Sequence, residues 1–227
     1  MEFLYCEGMS NAQPSMESYK VKENTEIKKG DLVSLDTRGY LIITGSNGSC
    51  IGVAAEDHPA NAVSDLMPVR DKVKVITSET AVYKAYAIKM QFKEGSDNTC
   101  FLPVSFDWTN GAYDNTLLML ISKAEGSENT DTIGTIRTVS SSYQENDGYV
   151  MNVSEGGIPH PDDVYALLPR IGDDGLNQGF DGEDFAFTSD IGHLRCVGHD
   201  LSLDNTAGLP SCYLKLNKHV SRAENYL

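Results

Sequence analysis

Turns recur so often between residues 22 and 57 that only short strands fit between them. The stretch reads KENTEIKKGDLVSLDTRGYLIITGSNGSCIGVAAED. Residues 21–27 form the first predicted strand. Lys28-Lys29-Gly30-Asp31 then turns the chain, with Gly30 free to take the positive φ that a Cβ resists. Residues 32–36 are the second strand, placing Leu32, Ser34 and Asp36 on one face and Val33 and Leu35 on the other. Thr37-Arg38-Gly39 turns the chain again. Residues 40–44 are the third strand, rich in β-branched and aromatic side chains. After a polar loop at 45–49, residues 50–55 run inward with Ile51 and Val53. Strands this short and this close cannot each bury two faces alone. They must close into a small barrel or pack as a sandwich.

The rest of the chain follows the same pattern. Residues 1–18 read as an N-terminal arm: Phe3, Leu4 and Tyr5 are apolar, and the polar residues after them have no period. Such an arm is either disordered or ordered against a neighbouring subunit. Residues 19–90 form a barrel-like core module, closed by a predicted β-hairpin over 73–87. Residues 91–160 form a β-rich insertion or a second β domain. Within it, Pro103 marks an edge or bulge, and Asn110-Gly111 predicts a hairpin turn. TLLMLIS at 116–122 predicts a buried strand. Residues 135–139 pair with 149–153, with Asp147-Gly148 closing their turn.

The one good helix signal is HPDDVYALL at 160–168. Pro161 suits a first helical position, Asp162 and Asp163 suit the positive end of the macrodipole, and Pro169 is the stop. Residues 161–219 also carry an acidic loop and the closing strands of the core, 193–199 and 212–217. Residues 220–227 are a tail. The expected fold is mainly β: a small barrel or sandwich with a β-rich insertion or second β domain, and at most one or two short helices. No period of 20–50 residues repeats, which excludes solenoids and propellers.

Charge narrows the partners. The 227 residues carry a net −15. Residues 1–90 hold 10 Lys and Arg against 12 Asp and Glu, whereas residues 91–227 hold 8 against 21. So acidic a stretch repels phosphate backbones and argues against a nucleic-acid partner. The nearly neutral N-terminal part is the better docking surface, and the acidic remainder is the better face for water. No run approaches the roughly 18 apolar residues of a membrane helix, so no membrane partner is expected. The first residues lack the basic and apolar segments of a secretion signal. Cys6, Cys50, Cys100, Cys196 and Cys212 are scattered and odd in number, which points to reduced thiols and manufacture in a cytosol.

Candidate chemistry is sparse. Asp173, Asp174, Asp181, Glu183 and Asp184 line a Gly-rich loop that offers oxygen ligands to calcium. Counted from Asp173, however, the third position is Gly175 and the sixth is Gln178, so the EF-hand spacing fails and a solvated turn is expected. His193, Cys196 and His199 are spaced by three. On a regular strand such residues point to opposite faces and cannot converge on zinc. No nucleophile elbow, zincin helix or phosphate-binding glycine loop is present. The sequons at Asn47 and Asn152 mean little without a secretory signal. No residue is assigned to catalysis, cofactor binding or a metal, and the chain reads as non-enzymatic.

The run VKENTEIKKGDLVSLDTRGYLI…IGVAAED resembles the N-terminal part of small tailed-phage head proteins, the capsid decoration or cement proteins. That family's K-G-D-[LV]-V turn and strand is matched by Lys29-Gly30-Asp31-Leu32-Val33. A Gly-Tyr-Leu strand follows at 39–42, and a Gly-Val-Ala strand ending in acids at 52–57. LRCVGHD at 194–200 and YLKLN at 213–217 look like the family's closing pair. The resemblance covers residues 19–90 and, more loosely, 165–219; residues 91–160 have no counterpart. It implies a structural protein of the virion, on the capsid exterior, made in the host bacterial cytoplasm. It implies binding to the outer surface of the major capsid protein shell, as a monomer or with copies of itself as a trimer. The family has no catalytic residues to carry over. The competing reading is a carbohydrate- or receptor-binding β module of a head fibre or adhesin, with Trp108 and Tyr113 sharing a sugar-facing loop. A hydrolase on a β scaffold is third, supported only by scattered Asp, His and Ser.

Overall fold

The computed structural model describes residues 4–5, 14–44, 50–60, 71–78, 80–93, 98–102, 107–145, 148–154, 159–178, 185–188 and 192–217. Among these residues the secondary structure is all β, in seventeen strands. The first six are β1 (Leu4–Tyr5), β2 (Met16–Lys20), β3 (Leu32–Leu35), β4 (Leu41–Ile43), β5 (Gly52–Ala54) and β6 (Lys72–Ile76). The next six are β7 (Tyr83–Tyr86), β8 (Ile88–Gln91), β9 (Thr99–Cys100), β10 (Leu117–Ser122), β11 (Ile136–Glu145) and β12 (Gly148–Ser154). The last five are β13 (Val164–Leu168), β14 (Leu176–Gln178), β15 (Phe185–Phe187), β16 (Leu194–Asp200) and β17 (Ser211–Leu216). They form three sheets, ordered β2-β6-β5-β3-β4, β8-β13-β10-β11-β12-β9 and β1-β7-β17-β16-β14-β15. Together the sheets make a half-barrel and a nearly closed barrel.

The N-terminal sheet follows from its turns. Gly30 and Gly39 take φ of 95° and 81°, conformations in which a Cβ would clash. Asp31, although buried, accepts the Lys28 N–H at 2.7 Å and locks the first turn. Alternation then divides the strands between two cores. Val33, Leu41, Ala54, Val73 and Val75 fill the inside of this sheet together with Val21 and Ile27. Leu32, Val53 and Ile76 point the other way, into the main core. A parallel bridge between Val21 and Leu41 draws the two edges of the sheet together. Gly52 is required here: a Cβ would stand 2.6 Å from Val75 Cγ1 and closer still to the Ile76 carbonyl.

The other two sheets face each other across the main core. One supplies Tyr83, Leu194, Leu214, Phe185 and Phe187; the other supplies Leu118, Leu120, Tyr149, Met151 and Leu167. Tyr113 stands edge-on to both Tyr149 and Phe187, with ring centroids 5.3 Å apart in each case. This geometry suits aromatic quadrupoles. A bridge between Phe92 and Cys100 carries the chain after β8 onto β9 and brings that sheet towards closure. The 116–122 run is a strand as expected, paired on both sides. The pairing β16–β17 is also the one the sequence suggested; β11 and β12 pair as well, but β11 runs on to Glu145, so residues 149–152 lie against 141–144 rather than 135–139.

Four local expectations are corrected. The helix over 160–168 does not form. Asp162 has φ 65°, Asp163 is buried, and residues 164–168 become β13 between β8 and β10. A strand buried on both faces carries no period by which to recognise it. The 73–87 hairpin does not form either. Both edges of β6 are taken by β2 and β5, so β7 pairs with β1 and β17 instead. The strand over 21–27 is replaced by a turn with Asn24 at φ 60°, and the pairing falls to β2, within and just beyond the segment read as an arm. Asn110-Gly111 is a turn but not a hairpin. Gly111 N–H donates to Ser142 O at 2.6 Å, and Gln144 N–H donates to Asn110 Oδ1 at 3.0 Å, so the turn lies along β11.

Candidate functional site

The N-terminal sheet carries a half-open groove of about 800 Å³. One wall is the turn Lys22-Glu23-Asn24. The other is the β3–β4 turn, with Leu35, Asp36, Thr37, Arg38 and Tyr40. The two walls are joined by backbone, with Lys22 N–H donating to Leu41 O at 3.1 Å, and the first turn is closed by Thr25 N–H donating to Lys22 O at 3.2 Å. Asp36 builds its own wall, with Oδ1 accepting the Arg38 N–H at 2.9 Å and the Tyr40 N–H at 3.0 Å. The bond from Tyr40 leads in holding the Asp36 carboxyl below its ordinary range, helped by the Arg38 N–H and by the charges of Lys22 and Arg38. Tyr40 is 39% exposed at the mouth. Neither Lys22 nor Arg38 makes an ion pair among the described residues.

Buried polar groups elsewhere serve the scaffold. Asp163, fully buried, accepts Ala124 N–H at 2.8 Å, Asn129 Nδ2 at 2.9 Å and Ser127 Oγ at 3.0 Å. It thereby pins the loop after β10 onto β13. Arg137 pairs with Asp131 at the end of that loop. Ser142 Oγ donates to Asp114 Oδ1 at 2.8 Å and accepts the Tyr113 N–H at 3.0 Å.

His193, Cys196 and His199 depart from the strand rule in part. A β-bulge between Cys196 and Gly198 shifts the register by one residue. That shift brings Cys196 and His199 to the same side, with Sγ 3.6 Å from Nε2. The pair is not a nucleophile and base. His199 Nε2 lies 2.7 Å from Pro169 O, and a carbonyl only accepts, so Nε2 carries the hydrogen. Burial pushes the Cys196 thiol up to about 11, far from a reactive thiolate. Among the described residues no group of three His, Cys, Asp or Glu could hold a metal ion. In the acidic loop, Asp173 Oδ1 accepts Gly175 N–H at 2.9 Å, and burial raises its carboxyl above the ordinary range. Asp181, Glu183 and Asp184 lie outside the described residues.

Trp108 and Tyr113 are not an exposed pair. Tyr113 is fully buried, and half-buried Trp108 stands edge-on to Tyr149 at 6.2 Å. The groove residues carry no motif in the sequence. Its only hint is Asp36-Thr37-Arg38-Gly39-Tyr40, an Asx-type turn set between alternating apolar residues. Nothing local says that residues 22–24 stand opposite.

Fold and site together define a multi-sheet β protein with a polar groove on its N-terminal sheet. No family model matches the chain, and no curated protein or solved structure matches it either.

Proposed function

We propose that this chain is a non-enzymatic structural protein of a phage virion, which decorates the capsid and stabilises it by binding the outer surface of the major capsid protein shell. The observation that supports it best is a segregation. The near-neutral N-terminal residues form a sheet with an interior core of its own, and most of the net negative charge falls on the chain that follows. A decoration protein needs such a division between an adhesive module and a water-facing body. The commitment of Asp163, Ser142 and His199 to holding loops and strands is consistent with a passive role. Affinity in such a coat comes from many weak contacts multiplied by the symmetry of the shell. A trimer at a three-fold position of the shell would add contacts between copies of the chain.

The test is the particle itself. Mass spectrometry of purified virions is expected to find the chain in many copies, and particles lacking it are expected to lose DNA at a lower temperature. Absence from purified particles would end this reading.

A further inference from the structure

The groove between the 22–24 turn and the β3–β4 turn has features that the capsid reading does not use. Its volume, about 800 Å³, lies within the range of roughly 300–1,000 Å³ common to small-molecule sites. Its walls are already held by their own hydrogen bonds, so little order remains to be imposed on binding. Its charges cancel: each wall carries one basic and one acidic residue, Lys22 with Glu23 and Arg38 with Asp36. An anionic ligand would meet two carboxylates on a chain of net −15, and a cationic one would meet the two basic groups. A hydroxyl suits both signs, because it donates to a carboxylate and accepts from an ammonium or guanidinium. Half-buried Leu35 and exposed Tyr40 add apolar surface beside these groups, the amphipathic character a tyrosine ring offers at binding sites.

We propose that this groove is a binding site for a neutral oligosaccharide. One sugar ring lies against Tyr40, and its hydroxyls bond to Asn24, Asp36, Arg38 and Lys22. The site differs from the one the sequence suggested, since Tyr113 is buried. It does not depend on the capsid reading: a coat protein and a free-standing adhesin could equally carry it.

The test uses the full-length chain on an array of neutral and acidic oligosaccharides. The best neutral ligand is then titrated against the isotope-labelled protein by NMR. Expected are saturable binding in the millimolar range or tighter, and shift changes concentrated at residues 22–24 and 35–40. Tyr40→Ala is expected to weaken binding at least tenfold, and Arg38→Ala several-fold. Tyr143→Ala, which removes another exposed tyrosine, is expected to leave affinity unchanged. Melting curves confirm that each variant folds. Should Tyr40→Ala not fold, Arg38→Ala on its exposed turn decides. The proposal is overturned if no neutral oligosaccharide binds at millimolar concentration, if sulfated or sialylated ligands bind in preference, or if binding survives loss of the decisive side chain.

Discussion

The N-terminal sheet and the two-sheet body are built from the same kind of strand but are specified differently. In the sheet of β2 to β6, the pairs β3–β4 and β3–β5 join near neighbours in the chain, and glycine turns set their register. In the body, β7 lies beside β17 and β8 beside β13, partners far apart in sequence. Their register is set by burial and by side-chain ties such as Asp163. Local turn chemistry therefore fixes the middle of one region, where only β2 reaches a distant partner in β6, and long-range packing fixes much of the other. The two differ in charge as well, which makes the comparison testable from several directions.

The strongest test removes the tie in the body. Asp163→Ala leaves the Ala124 N–H, the Ser127 hydroxyl and the Asn129 amide without their shared acceptor. A loss of about 3–4 kcal/mol is expected, read by denaturant unfolding. If the N-terminal sheet stays folded after the body melts, the two regions are separable; a single transition would make them one cooperative unit. The reciprocal test is Gly52→Ala, which drives a methyl into Val75 and the Ile76 carbonyl. An overpacking cost of about 2 kcal/mol is expected, with backbone amides of β3, β5 and β6 losing hydrogen-exchange protection before those of β10 and β13.

Alkaline pH compares the regions through their thiols. Burial pushes Cys50 up to about 11, Cys100 to about 12 and Cys196 to about 11, from an ordinary value of 9.0. The folded state thus holds protons that the unfolded state has released. Stability from these groups is intact below pH 9 and is lost as pH rises towards 11–12. Each thiol withdraws about 1 kcal/mol by about pH 10, measurable as a falling denaturant midpoint. Replacing Cys50 with Ser and then Cys100 with Ser apportions the slope between the chain entering β5 and the body. The smallest effect is expected at the groove, where Tyr40→Ala should change stability by no more than about 0.5 kcal/mol, checked by the same unfolding curve. A large loss there would make Tyr40 part of the scaffold.

What the sequence disclosed follows the same division. Gly30, Gly39 and the alternation through Leu32 and Val33 reveal the turns and faces of the first sheet without any knowledge of its neighbours. TLLMLIS and the β16–β17 pair were legible because apolar runs and closing strands stand out. The hairpin over 73–87 was misread because nothing near Ile76 says that β6 has no free edge. VYALL was misread because a strand covered on both sides has the composition of a short buried helix. The Cys196–His199 approach depended on a bulge that no residue pattern announces. The groove was out of reach for a related reason: its walls meet through one backbone bond, between Lys22 and Leu41, which side-chain chemistry cannot foretell.

All five strands of the N-terminal sheet lie between Met16 and Ile76, whereas β7 must wait for β17 near the other end of the chain. On a ribosome, the first sheet has every partner it needs well before β17 is made. Its inner face can close early, while the face bearing Leu32, Val53 and Ile76 stays uncovered until the body arrives. The nascent chain therefore exposes a greasy surface until the strands of the body have emerged, the interval in which a chaperone or a premature contact would find it.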